Sequence, residues 1–331
     1  MKAAVIYGKK DVRIEDWKEP TVETGHVKVK VAWAGVCGSD LHAYHHGMGI
    51  SLNPHPVSNR QVPLVFGHEF AGTVVEVGEE VTNVQVGDRV AVEPLIYSKE
   101  DYYVKQGKYN LSNDFGFIGL NGDGGFAQFT VVSASSVHKL PNQVSLEEGA
   151  LIEPTAVAMQ AVKASALQTG DTVAVFGAGP IGLLTVIAAK AAGASKVFVI
   201  DLSQERLDKA LEVGADVVIN SASEDVKERI IKETVHGVAV SYEAAGVQPT
   251  FTTAVDVLKK GGQLMVIAAY AKPVELNINS LLVREINIVG SIGYRHVFPE
   301  VIQMIASGQM DVKKVITKKI QLDNLVEDGL E

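Results

Sequence analysis

The chain has 331 residues, a length suited to two domains, with 47% apolar and 21% charged residues. That mix supports a sizeable buried core and excludes a disordered chain, which lacks the apolar surface to offset its ordering entropy. A formal charge of −9 and a pI near 5.5 argue against a chain that neutralises runs of phosphate, so nucleic acid is not expected as a partner.

At the N-terminus, charges come too early and the apolar run is too short for a secretion signal. The single cysteine, Cys37, has no partner for an internal disulfide, and a reducing, cytoplasmic compartment is the expectation. From Lys2 to about Pro141 short β-branched runs are punctuated by glycine. Val27, Val29 and Val31 alternate with His26, Lys28 and Lys30, the period of a half-buried strand. Residues 73–78 and 86–92 read as further strand-and-turn units, which predicts an irregular β-rich domain. Long loops at 37–65 and 94–120 are of a length that often carries function.

Beyond Pro141 the rhythm changes. Residues 146–166 are alanine-rich and read as helix. Strands follow at 172–176, 196–200, 216–219, 238–243, 263–267 and 286–289, with helical segments such as 207–213 between them. Apolar strands alternating with helices predict an α/β fold with a doubly wound parallel sheet covered on both faces. The stretch 172–200 is not a membrane span, because Gly177, Gly179, Pro180, Gly182, Lys190 and Gly193 interrupt it. The domains predicted are 1–150, completed by 293–331, and 151–292.

Gly177-Ala178-Gly179-Pro180-Ile181-Gly182 spells G-x-G-x-x-G between an apolar strand and a helix. The first glycine permits a tight turn, the second lets backbone N–H groups approach a pyrophosphate, and the third packs helix on sheet. Asp201 closes the next strand, where a carboxylate accepts from both ribose hydroxyls and repels a 2′-phosphate. NAD(H) is expected rather than NADP(H). Cys37-Gly38-Ser39-Asp40-Leu41-His42, His68-Glu69 and Glu153-Pro154 together offer sulfur, nitrogen and oxygen donors suited to Zn²⁺. Taken singly, each has a plain alternative: a small buried residue for Cys37, a core histidine for His68, a helix N-terminal carboxylate for Glu153.

Gly67-His68-Glu69-x-x-Gly72 with Gly78, together with Cys37-Gly38-Ser39-Asp40-x-His42, resembles the zinc-containing medium-chain alcohol dehydrogenase family over essentially the whole chain. A narrower resemblance is to its branch acting on 2,3-butanediol and acetoin, through His55-Pro56, Tyr109-Asn110-Leu111, the run 116–120 and Gly293-Tyr294-Arg295. The resemblance implies a GroES-like catalytic domain and a Rossmann domain with the active site in the cleft between them. It also implies Cys37, His68 and Glu153 as principal zinc ligands, with Glu69 as an alternate. Ser39 and His42 would form a proton relay; an N-cap is the competing role for Ser39. Arg206 would touch the adenosine ribose. Ala245, Ile267, Ser291 and Ile292 would contact the nicotinamide ribose from the strand ends.

Many relatives carry a second, structural zinc on four cysteines, and that register here falls on Ser98, Asp101, Val104 and Ser112. One zinc per chain is therefore expected, with the loop packed by Tyr102, Tyr103 and Tyr109 or held by another subunit. Residues 286–292 resemble the edge strand through which relatives dimerise, implying a homodimer or homotetramer. A small diol or hydroxyketone is the expected partner, with no membrane partner. The rival activities are a sorbitol or other polyol dehydrogenase and, in a different class, a catalytically silent nucleotide-binding protein.

Overall fold

Glycine punctuation and β-branched alternation in the first 150 residues produce small antiparallel sheets, as the computed structural model describes for residues 1–331. Two compact units emerge. The first comprises Met1–Glu153, Phe298–Ser307 and Thr317–Glu331, and the second Pro154–Val297 and Gly308–Ile316.

The first unit contains β1 (Lys2–Gly8), β2 (Asp11–Asp16), β3 (His26–Gly35), α1 (Gly38–His46), β4 (Leu64–Val65), β5 (Glu69–Val77) and β6 (Arg89–Val92). It continues through β7 (Leu95–Ile96), α2 (Tyr102–Lys105), β8 (Gly116–Phe117), β9 (Phe129–Ser133), β10 (Val137–Lys139) and α3 (Leu146–Ala150). The sheets have the orders β2-β1-β4, β10-β6-β5-β3-β9 and β7-β8. Val27 and Val29 point inward from β3 and pack with Phe70, Val74, Val90 and Val132. Register shifts between Lys28 and Val29 and between Val31 and Trp33 bend the β3–β5 pair, as bulges do. The pair ends with Gly35 directly opposite Glu69.

In the second unit the elements are α4 (Ile152–Ala164, starting at the boundary), β11 (Thr172–Phe176), α5 (Pro180–Ala191), β12 (Lys196–Asp201), α6 (Gln204–Glu212) and β13 (Val217–Asn220). They continue with α7 (Val226–Thr234), β14 (Val238–Glu243), α8 (Gln248–Asp256), β15 (Leu258–Val266), α9 (Ile278–Arg284) and β16 (Asn287–Gly290), and α10 (Phe298–Ala306) then belongs to the first unit. The six strands form one parallel sheet in the order β13-β12-β11-β14-β15-β16. Val173, Ala174, Val175 and Phe176 are all buried, because this strand is covered on both faces. Strand order reverses between β11 and β14, the place where such sheets open a ligand crevice at their carboxyl edge.

Two features depart from the sequence expectation. β15 begins at Leu258 rather than 263, running through Gly261-Gly262 because a register shift against Val238 and Val240 absorbs the extra length. Residues 308–316, expected with the first domain, group with the second unit: Met310, Val312 and Val315 are buried there, and the short helix Val312–Val315 packs on α5.

Candidate metal centre and nucleotide edge

The start of α1 builds one half of the metal centre. Cys37 is the N-cap in extended conformation, and Asp40, three residues on, accepts from the Cys37 N–H through Oδ2 at 2.9 Å. Asp40 is fully buried, and its other oxygen lies 3.2 Å from His68 Nδ1. Neither of those two atoms has another partner. His68 therefore turns Nε2 toward the remaining donors, with Ser39 Oγ at 3.1 Å from it. Gly67, before it, has φ +90°, and a Cβ there would strike the Phe126 ring at 2.6 Å, so only glycine delivers the histidine. Glu69 opens β5 against Gly35. The ligand atoms of Cys37, His68 and Glu69 all lie within 4.8 Å of one another.

The electrostatics of this cluster call for a cation. Burial, followed by the charge of Glu69, pushes the Cys37 thiol up to about 11. Burial and then the charge of Glu153 push the Glu69 carboxyl up to about 8. Burial alone would lower His68, yet the Asp40 carboxylate outweighs it and holds the imidazole well above its ordinary range. A thiol and two carboxyls thus share a dry site with one imidazole, and the S, N and O donors match what Zn²⁺ accepts.

Glu69, expected as the alternate donor, completes the three-donor cluster. Glu153 is buried in the first turn of α4, close enough for its charge to act on Glu69. His42 is exposed on α1, one turn beyond Ser39. The Phe117 ring sits 5.6 Å from the His68 ring, and Phe115 meets Phe117 edge-on at 4.9 Å. His55 is buried and spends Nδ1 on the Val57 and Ser58 amides.

In the 94–120 loop, Asp101 does the organising. Its Oδ1 accepts from the Tyr103 and Val104 amides at 2.7 and 3.3 Å, and its Oδ2 from both the backbone and the side-chain amide of Asn113 at 2.9 Å. Tyr109 stacks on Tyr97 and donates to Glu93 at 2.8 Å. Tyr102 and Tyr103 face solvent instead of packing the loop, at 68% and 39% exposure.

In the second unit the predicted nucleotide residues gather on the carboxyl edge of the sheet. Gly177 has φ +96°, and a Cβ on Gly182 would lie 1.8 Å from the Gly177 carbonyl oxygen, so α5 presses directly on the turn. Gly179 caps α5 with Pro180 in its first turn and Ile181 following. Asp201 ends β12; its Oδ2 accepts from the Ala178 N–H at 2.8 Å and its Oδ1 from the Ser203 N–H at 2.9 Å. Arg206 Nη1 stands 4.0 Å from Asp201 with its side chain 62% exposed, a loose surface pair. Ala245, Ile267, and Ser291 with Ile292 follow the ends of β14, β15 and β16.

Asp40, Gly35 and Glu243 were not singled out by sequence reasoning. The Cys37-x-x-Asp40 spacing, which has the form of a capping box, was a usable signal for the first. The other two act through cross-strand or inter-loop neighbours that no local pattern displays.

Residues 23–142 match the family model for the alcohol dehydrogenase GroES-like domain, and residues 180–307 that for zinc-binding dehydrogenase. The chain is 45% identical to the (R,R)-butanediol dehydrogenase of Bacillus subtilis (strain 168), across 99% of this chain and 95% of that protein. It is 37% identical to the sorbitol dehydrogenase of Rattus norvegicus, across 98% and 90%. The crystal structure of 2R,3R-butanediol dehydrogenase from Bacillus subtilis matches with a TM-score of 0.95 at 44% identity, covering 99% of this chain and 94% of that one. Similarity of this extent, on a fold whose buried donors suit zinc and whose parallel sheet carries the glycine turn, makes the chain a member of the zinc-binding medium-chain alcohol dehydrogenase family.

Proposed function

We propose that the chain interconverts 2,3-butanediol and acetoin with NAD(H), using one zinc ion held by Cys37, His68 and Glu69, with Glu153 as the further carboxylate. The observation that carries the chemistry is the three-donor cluster, with His68 and Glu69 buried and Cys37 half-buried. The substrate rests on the full-length likeness to a butanediol dehydrogenase, which exceeds that to a sorbitol dehydrogenase.

Zinc, when bound, supplies a Lewis acid for the substrate oxygen, and the nicotinamide supplies the hydride acceptor. Asp40 fixes the His68 tautomer, so that Nε2 rather than Nδ1 faces the donors. Phe117 and Phe115 form an apolar wall beside His68 and exclude water from that side. In the oxidative direction the Ser39 hydroxyl takes the substrate O–H proton while passing its own through solvent to His42. His42, one turn along α1 and exposed, passes a proton to solvent. Asp201 accepts from the ribose hydroxyls and repels a 2′-phosphate, which selects NAD over NADP, and Arg206 adds a contact from α6.

A homodimer or homotetramer belongs to the same reading. β16 lies at the sheet edge, and Ile278, Leu282 and Val283 on α9 with Ile292 after β16 are all more than half exposed. No helix is long and apolar enough to cross a membrane, and the lone thiol supports a cytoplasmic setting.

The test is NADH consumption with acetoin before and after chelation, with chiral analysis of the diol and sorbitol as the comparison substrate in the oxidative direction. Acetoin reduction that stops on metal removal and returns with zinc is expected. A preference for sorbitol over the diol overturns the substrate assignment, and full speed without metal overturns the mechanism.

A further inference from the structure

Glu243 ends β14 as a fully buried carboxylate at the carboxyl edge of the parallel sheet. Its Oε1 accepts from the Ala245 N–H at 3.1 Å, the Gly246 N–H at 3.0 Å and the Thr250 hydroxyl at 2.6 Å. Its Oε2 accepts from Gly246 at 3.1 Å and from the Tyr270 hydroxyl. Its main-chain carbonyl takes the Ile267 and Ala268 amides at 2.9 and 3.1 Å. One residue therefore ties together the turn after β14, the first turn of α8 and the segment after β15. Those segments are pressed close. A Cβ on Gly246 would lie 2.5 Å from the Ala269 carbonyl oxygen, and one on Gly177 would lie 3.1 Å from Ala245. The strap thus abuts the glycine turn itself.

A carboxylate is an unusual choice for a purely structural tie. Burying it requires several donors, and an apolar pair fills such space at less cost. Here, beside the Thr250 hydroxyl of α8, the donors are the Ala245 and Gly246 amides and the Tyr270 hydroxyl, from the two segments assigned to the nicotinamide ribose through Ala245 and Ile267. We propose that Glu243 is a positioning residue for the nicotinamide half of the cofactor. It fixes the Ala245–Gly246 turn and the 267–270 segment in the register that presents their backbone to the ribose. This inference rests on the NAD(H) assignment above. It predicts that loosening the strap affects binding and hydride transfer at the nicotinamide end and leaves the adenosine end untouched.

Two variants test it in the zinc-loaded, full-length enzyme. Glu243→Gln keeps the shape but turns a donor toward donors, and Tyr270→Phe removes a single hydrogen bond to Oε2. The probes are ADP, which lacks the nicotinamide, and NADH, each measured by equilibrium binding, with single-turnover hydride transfer followed alongside. ADP affinity is expected within about twofold of wild type, while NADH affinity falls about tenfold in Glu243→Gln and by less in Tyr270→Phe. The hydride-transfer rate falls in the same order. ADP and NADH weakening together in both variants, or neither changing, overturns the positioning role. A wild-type enzyme that binds neither ADP nor NADH overturns the NAD(H) assignment instead, and this inference with it.

Discussion

Gly35 offers the sharpest probe of the metal centre, because it touches the site only through a missing side chain. It pairs with Glu69 across β3 and β5, and a Cβ built on it would stand 2.2 Å from Glu69 Oε2. Gly35 is not among the glycines with positive φ, so alanine suits its backbone and the strand should tolerate the change. What must yield is the flexible end of Glu69. Regaining a contact near 3.4 Å requires that oxygen to retreat by about 1.2 Å. Zinc–oxygen bonds are about 2.0–2.2 Å long and tolerate roughly ±0.2 Å, so the displaced carboxylate leaves the first coordination sphere. Losses of about 10- to 100-fold in metal affinity are usual when a ligand's support is removed, or roughly 1.4–2.7 kcal/mol. Competition against a chromophoric chelator measures this directly, with thermal unfolding of the metal-free protein as the control for folding. The double variant Gly35→Ala/Glu69→Ala should bind zinc no more weakly than Glu69→Ala alone, since the two changes act through one atom. Unchanged zinc affinity in Gly35→Ala, with turnover intact, would refute the placement of Glu69 in the metal site.

Three further outcomes are expected. Asp201→Ala should weaken NAD and narrow its advantage over NADP, measured as the ratio of kcat/KM for the two coenzymes; an unchanged ratio removes Asp201 from the ribose. Val235, exposed at the C-cap of α7, is β-branched at φ 69° and ψ −45°, so Val235→Gly should raise Tm by about 2–4 °C for roughly 1 kcal/mol of relieved strain, and a lowered Tm contradicts that. In the metal-free protein Glu69 keeps its proton up to about pH 8, whereas the unfolded chain releases it near 4.5. Unfolding then releases a proton, and stability falls as pH rises through that window by about 1.4 kcal/mol per unit; denaturant titrations at pH 5 and 7.5 should show the drop, and zinc should flatten it.

Much of this architecture is local, and to that extent legible in the residues. The apolar run 172–176 can only be a strand covered on both faces, and the glycines after it have no other economical use than a tight turn into α5. Cys37 and His68 each have a plain alternative when taken singly, and only their combination with Glu153 and the glycine turn points to a metal. Legibility ends where contacts cross the chain. Gly35 meets Glu69 across two bulges, one with its extra residue, Val75, in β5 and one with its extra residue, Ala32, in β3; the two one-residue shifts cancel, and neither shows in a local pattern. Residues 308–316 are mixed in character and read with the first domain, yet the apolar side chains among them, Met310, Val312 and Val315, are buried in the second unit. Glu243 carries no signal in spacing, since its hydroxyl partners lie 7 and 27 residues away.

The same physical device recurs at each loop that carries chemistry. Asp40 holds the Cys37 amide, Asp101 the amides of Tyr103, Val104 and Asn113, Asp201 that of Ala178, and Glu243 those of Ala245 and Gly246. A carboxylate accepts several N–H groups at once, and such charge-assisted bonds are about twice as strong as neutral ones. They also hold the main chain itself, whose geometry packing of side chains constrains only indirectly. For Asp101 the consequence is visible in its acidity, since the Asn113 amide and its neighbours hold the carboxyl below its usual range despite exposure. These hydrogen bonds hold the main chain of that loop in place. Part of the −9 formal charge is therefore internal scaffolding rather than surface decoration. Exchanging these acids for their amides should then perturb loops and ligands before it perturbs the two cores.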